Sequence, residues 1–480
     1  MMDHCSRRDF LHLTATGALC SLGTPVFNLW SKTRQGIISP GCRKSKVRVA
    51  RLYMGNPEGL WPKPALNFKE EMKFYRDRFQ ELKAELDDVE FVVDELVTSP
   101  SQVIALKDRL KSVDGILVIH LSLNVSPILE EILAADQPTM IFAVPFSGHE
   151  WANFGSLRNQ AKGAKMECLL TSDYRQLAVA IRPFRAIHHL REAKILNVTT
   201  NAFADYAGEI REKFGTEIKA IDRQRLLKLY EAISDEDARR ETEIWINGAE
   251  KIVEPSKENT FKSCKLALAL ERLLDEEEAT VLTIDCYGSM WDKTILLPAY
   301  PCLGFTRLNN MGYGGICESD LRSAMTHIIF QGLSGRPGFI SDPTVDESTN
   351  TIILAHCLGT TKMDGPDGPA APYKLRTVME RQEGVVPQVQ MRLHQKVTQA
   401  ILIGVDQLLY FTGEIVDAPV SLEVDRGCRT KIAVKVDGNV TTLWHNWSHG
   451  LHRQTCYGDI TKELGYLCRF KEIAMVNEAV

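Results

Sequence analysis

Residues 114–121 read Asp114-Gly115-Ile116-Leu117-Val118-Ile119-His120-Leu121, an apolar run opened by an Asp-Gly pair. The run reads as a strand. The flanking segments carry the same grammar. Upstream, the β-rich run 47–54 ends in Gly55-Asn56-Pro57, and Met72, Tyr75, Phe79, Leu82 and Leu86 follow at helical spacing. A strand at 89–93 and a helix at 106–110 complete the approach, and downstream a strand at 139–144 closes in Pro145-Phe146-Ser147-Gly148. Strands alternating with helices in this way predict parallel α/β units with right-handed crossovers.

The pattern restarts with a strand at 193–198, helices at 204–214 and 223–233, a long helix at 260–276 and a strand at 280–286. Open α/β sheets bind ligands beyond the carboxyl ends of their strands, so the loop 287–291, with Trp291, is placed to line a site. From there the character changes. Segments 398–411, 430–436 and 440–444 are β-rich, with Gly438-Asn439 as a turn, and a helix is predicted at 460–470. The fold class expected is α/β: two Rossmann-like parallel domains (46–190 and 191–345) followed by a mainly antiparallel β domain (346–480) with a terminal helix.

The first 45 residues stand apart as a leader. Ser6-Arg7-Arg8-Asp9-Phe10-Leu11 before a modestly apolar stretch resembles the twin-arginine signal of proteins exported already folded. With His12, Gly17 and several threonines, the stretch is too short and too polar for a stable membrane span. Leu19 before Cys20 fits a lipoprotein processing site poorly. The expectation is a periplasmic or extracellular protein, cytoplasmic if the leader does not function.

Composition excludes some functions. The 480 residues carry a net charge of −5 with no basic run interleaved with aromatics, which argues against nucleic acid. Twelve cysteines without C-x-x-C spacing announce no zinc or redox site. Twin-arginine substrates fold in a reducing compartment, so mostly free, buried thiols are expected.

Three places hold residues suited to chemistry. Residues 312–320 (GYGGICESD) open the helical pattern Leu321, Ala324, Met325, Ile328, Ile329, which puts Glu318 at a helix entrance. Taken alone, Glu318 or Asp320 reads as a helix cap, and the glycines lack the lysine of a phosphate loop. Residues 338–343 and 351–357 read as a hairpin centred near Ser348, with Asp342 opposite Leu354 and His356 diagonal to it, about 7 Å away. Alone, His356 reads as a core histidine and Asp342 as a turn residue. Residues 444–452 hold Trp444, His445, Asn446, Trp447, His449 and His452, either a site or the aromatic plug of a β domain.

With GYGGICESDL, FISDP at 339–343, LAHC at 354–357 and NWSHG at 446–450 followed by YGDI, the chain resembles the L-fucose/L-arabinose isomerase superfamily. The resemblance covers most of the chain after residue 45 and is clearest over 285–470. It implies a Mn²⁺ or Mg²⁺ site formed by Glu318, Asp342, His356 and His449, with Glu318 and Asp342 moving protons in an aldose–ketose interconversion through an enediolate. Trp444, Asn446, Trp447 and Trp291 would border the monosaccharide or glycan, and a homo-trimer or hexamer is expected. Because an exported isomerase has little obvious use, two alternatives stand beside it: a hydrolase or lyase acting on glycans with the same carboxylates, and a non-catalytic sugar-binding protein.

Overall fold

The computed structural model describes residues 45–148, 150–201, 203–286, 296–418 and 426–480. The leader, with Arg7, Arg8 and Cys20, and the loop 287–291, with Trp291, lie outside the described residues. DGILVIHL supplies β3 (Gly115–His120), all six residues of which are buried. It is central in a five-stranded parallel sheet, order β2-β1-β3-β4-β5, with β1 (Val47–Met54), β2 (Val89–Val97), β4 (Thr139–Ala143) and β5 (Met166–Leu170). Residues 100–110 form a helix opened by Pro100, longer than the stretch the apolar spacing marks.

A second parallel sheet follows in the order β10-β9-β6-β7, from β6 (Lys194–Val198), β7 (Glu217–Ala220), β9 (Val281–Ile284) and β10 (Gly314–Cys317). Between them the two-residue β8 (Lys251–Ile252) joins a small separate sheet. Strand order reverses between β6 and β9, which makes the carboxyl ends of β6, β9 and β10 a topological switch point.

The rest of the chain forms a separate antiparallel sheet. It comprises β11 (Phe339–Asp346), β12 (Thr351–His356), β15 (Lys396–Ile403), β16 (Gln407–Asp417), β17 (Thr430–Val436) and β18 (Arg453–Tyr457). Strands β13 (Tyr373–Arg376) and β14 (Val386–Val389) leave it to complete the sheet of β8. The order β15-β18-β11-β12-β17-β16, with β15 also paired to β16, closes six antiparallel strands into a barrel. Strand β19 (Ala474–Asn477) adds to β16 in parallel.

The helix Leu321–Ser334 joins the layers. Twelve of its fourteen residues are buried, the polar ones Ser323, Thr326, His327 and Gln331 each hydrogen-bonded through their side chains. It packs on the helix Gln176–Glu192, on β10 and on barrel strands β15 and β18, and its Thr326 hydroxyl accepts the Leu402 amide of β15 at 2.9 Å. The described cysteines are free thiols, most of them buried. Among the described residues no helix is long and apolar enough to cross a membrane.

Two local expectations are corrected. Residues 440–446 are a helix, not a strand: the Asn439 side chain accepts the Thr442 amide and caps it, overriding the β-branched run Val440-Thr441-Thr442. The hairpin forms, but with Asp342 opposite Ala355. The closing pair Asp346–Thr351 leaves an even four-residue loop, with Asn350 at φ 55° and Ser348 donating to Asp346, and an even loop cannot be centred on Ser348.

Candidate active site

Glu318 comes directly after β10, at the carboxyl end of the second parallel sheet. Glu318 and Ser319 take φ of 61° and 53°, two consecutive left-handed residues without a glycine. Such strain persists only where surroundings enforce it. Ser319 does so by donating its amide to Ile284 O at 3.1 Å and its hydroxyl to Asn197 Oδ1 at 2.7 Å, which ties the turn to β9 and β6.

Asp320 follows as the N-cap. Its Oδ1 accepts the Arg322 and Ser323 amides, and its Oδ2 accepts the Ser323 hydroxyl at 2.7 Å. The same Oδ2 takes the Nδ1–H of His452 at 3.3 Å. This leaves His452 Nε2 facing the Glu318 carboxylate at 3.7 Å and Asp342 at 3.5 Å. A carboxylate that fixes one imidazole nitrogen and aims the other is the usual support of a metal-ligating or proton-moving histidine.

Barrel register explains why His452 lies there. Ile340 pairs with Gln454 and Ser341 with Arg453, so the next position along sets Asp342 against residue 452. Arg453 locks the approach: it donates to Ser448 O at 2.8 Å and to Glu478 at 3.2 Å, and its guanidinium lies 4.2 Å from the centre of the Trp447 ring. His356 ends β12, its ring centre 5.5 Å from that of His452. Asp342, His356 and His452 offer ligand atoms within 4.8 Å of one another, as do Cys317, Glu318 and His356.

The electrostatics follow from burial. Burial, reinforced by Asp342, Asp320 and Glu380 against the pull of His452, pushes the Glu318 carboxyl up to about 7. Burial likewise raises Asp342. His452 is raised: burial opposes its charge, but the Asp320 hydrogen bond and the Glu318 and Asp342 carboxylates outweigh it. Asp320 is lowered, its bonds from His452 and Ser323 outweighing burial. Burial drops His356 to about 3, so it is neutral. Its Nδ1 accepts the Leu358 amide at 3.0 Å, which puts the ring proton on Nε2.

Glu318, Asp342 and His452 line a cavity of about 670 Å³, which also reaches Tyr206, Arg322 and Leu451. Of the residues expected from sequence, Glu318, Asp342 and His356 are brought together. His449 is exposed, at φ 63°, outside both groups of converging ligand atoms; His452 occupies the place a C-terminal histidine was expected to take. Trp444 donates to Glu347 at 2.7 Å, Asn446 to Glu478 O at 2.9 Å and Trp447 to Gly450 O at 3.0 Å. None of these three lines the cavity. Asp320 and His452 were within reach of sequence reasoning, Asp320 as a cap and His452 as one of three clustered imidazoles, but their pairing needed the barrel register. The paired glycines of GYGG serve packing: a Cβ on Gly315 would lie 2.4 Å from Phe305 Cα.

No family model matches the chain. It is 25% identical over 281 residues to the sulfoquinovose isomerase of Clostridium sp. (strain MSTE9), a match covering 53% of this chain. The chain spans 57% of the length of that relative.

Proposed function

We propose that this chain is a metal-dependent aldose–ketose isomerase. The observation that carries the proposal is the convergence of Glu318 and Asp342 on His452 Nε2, with Nδ1 pinned by Asp320, in the lining of a cavity large enough for a sugar. Similarity to a sulfoquinovose isomerase supports it. Two carboxylates and one imidazole form a hard donor set suited to Mn²⁺ or Mg²⁺. Glu318, Asp342 and His452 would hold the ion, which when bound draws electron density from the sugar carbonyl and hydroxyl oxygens. His356 acts beside them as a donor, because its neutral ring carries the proton on Nε2.

The protein's own groups move the protons. As a carboxylate, Glu318 takes the C2 proton of the open-chain aldose and returns it to C1 of the enediolate. The hydroxyl proton passes from O2 to O1 over Asp342. Burial holds the Glu318 carboxyl near neutrality in the metal-free protein, and the ion's charge favours the carboxylate that accepts the C2 proton. Export through the leader and assembly as a trimer or hexamer belong to the same proposal, tested by fractionation and by sedimentation.

The deciding experiment measures metal content and ketose formation over an aldose panel. His452→Ala is expected to lose the ion and at least about 100-fold in activity, whereas His449→Ala stays within about twofold. Retention of the ion in His452→Ala, or its loss in His449→Ala, would overturn the ligand assignment. No ion and no ketose with any aldose would overturn the isomerase reading itself.

A further inference from the structure

Two polar groups in the cavity have nothing to do in the proton chemistry. Arg322 lies in the first turn of the helix Leu321–Ser334, half-buried and lining the cavity. Its guanidinium has no ion-pair or hydrogen-bond partner among the described residues. Asp320, two residues away, is not available to it: both oxygens are taken by the Arg322 and Ser323 amides, the Ser323 hydroxyl and His452. The charges acting most strongly on Glu318 and Asp342 are those of His452, Asp320 and Glu380, with Asp342 also acting on Glu318; Arg322 is not among them.

Tyr206 reaches the same cavity from the first turn of the helix Ala204–Phe214, beyond the carboxyl end of β6. Its hydroxyl is buried without a hydrogen-bond partner among the described residues. Burial holds the phenol above its ordinary range, and Arg322 and Asp320 are the two charges that act on it most. It is therefore a neutral O–H donor beside a cation. A guanidinium and a hydroxyl left without acceptors among the described residues, in a cavity whose reacting end is acidic, lack one thing: an anion.

We propose that Arg322 and Tyr206 form an anion subsite that reads a negatively charged substituent on the sugar, a sulfonate, phosphate or carboxylate borne away from the carbons facing Glu318 and Asp342. This rests on the isomerase reading for the nature of the substrate. A neutral sugar leaves both groups unsatisfied, whereas an anionic one is held by the planar guanidinium fork and the phenol together. The acidic end repels the same substituent, so the two ends of the cavity fix which end of the sugar meets the proton-transfer groups.

Calorimetric titration of the full-length, Mn²⁺-loaded protein with four probes tests it: glucose, glucose 6-phosphate, glucuronate and 6-deoxy-6-sulfoglucose. At least one anionic sugar should bind roughly 10- to 100-fold more tightly than glucose. The best of the three identifies the substituent. Arg322→Met should abolish that preference while leaving glucose affinity within about threefold, and Tyr206→Phe should reduce it by a smaller factor. Should Arg322→Met fail to fold, the salt dependence of the unmodified protein decides: the preference must shrink as salt rises.

Equal affinity for all four sugars, binding of none, equal losses of glucose and anion on Arg322→Met, or a preference indifferent to salt would each overturn the subsite. Ketose formation is scored separately by NMR. Anion preference without ketose would uphold the subsite and sink the isomerase reading, and ketose from neutral sugars without anion preference would do the reverse.

Discussion

At the scale of single residues, Asp320, which itself lines the cavity, holds the site together. It satisfies the first turn of a helix with one oxygen and fixes the His452 tautomer with the other. Asp320→Asn keeps a good cap but presents an amide N–H₂ to His452 Nδ1, which drives the ring proton to Nε2. Mn²⁺ affinity should fall about 10- to 100-fold with little change in melting temperature. A variant that titrates Mn²⁺ like the parent would show that Asp320 is only a cap. Arg453 and Glu478, with side chains 1% and 2% exposed, make the other decisive pair. Burial pushes both toward their neutral forms, so the ion pair repays only part of its desolvation. Arg453→Met leaves the Glu478 carboxylate buried alone, at a cost of about 3–5 kcal/mol in urea unfolding. A loss under about 1 kcal/mol would mean that the chain relaxes to admit water.

Among the elements, β10 and the helix Leu321–Ser334 set the geometry. His327 of that helix faces Tyr313 O with Nε2 at 3.2 Å and accepts the Gly338 amide at Nδ1, also at 3.2 Å. One buried, neutral imidazole thus joins the residue before β10 to the residue before β11, the strands that carry Glu318 and Asp342. β10 must also press close to Phe305, which only glycine at 315 permits. Gly315→Ala should cost about 1–3 kcal/mol and shift Glu318, seen as a lower melting temperature together with weaker Mn²⁺ binding. Unchanged values for both would mean that the helix Cys302–Asn310 yields freely. The reading of GYGG as packing rather than phosphate binding was open to sequence only negatively, through the missing lysine.

For the molecule as a whole, pH links stability to metal binding with opposite signs. Glu318 is raised from its ordinary 4.5 to about 7, so the metal-free fold holds a proton that the unfolded chain releases. Its stabilising contribution, on the order of 3 kcal/mol, is present at the acid end of that window and is lost as pH rises through about 7. His452, also raised, acts in the same direction, whereas the depressed Asp320 contributes stability that disappears only at low pH. Between about pH 5 and pH 8 the melting temperature without metal should therefore fall, while the rise produced by Mn²⁺ grows because binding displaces those protons. Paired melts with and without Mn²⁺ check this, and parallel curves would exclude Glu318 from the metal site. The sequence determined the parallel sheets, because strands buried on both faces need unbroken apolar runs such as DGILVIHL and helices need apolar spacing. It pointed to Glu318, Asp342 and His356 together only through the motif set GYGGICESDL, FISDP and LAHC, since each residue taken alone reads as a cap, a turn residue or a core histidine. Tertiary structure alone decided the closure of the barrel, the even loop behind the Asp342–Ala355 register and the helix after Asn439. It alone placed His452, not His449, between the carboxylates. The physical reason is that strand pairing is a long-range choice between partners far apart in the chain, and sliding it by one position moves a side chain to the other face of the sheet.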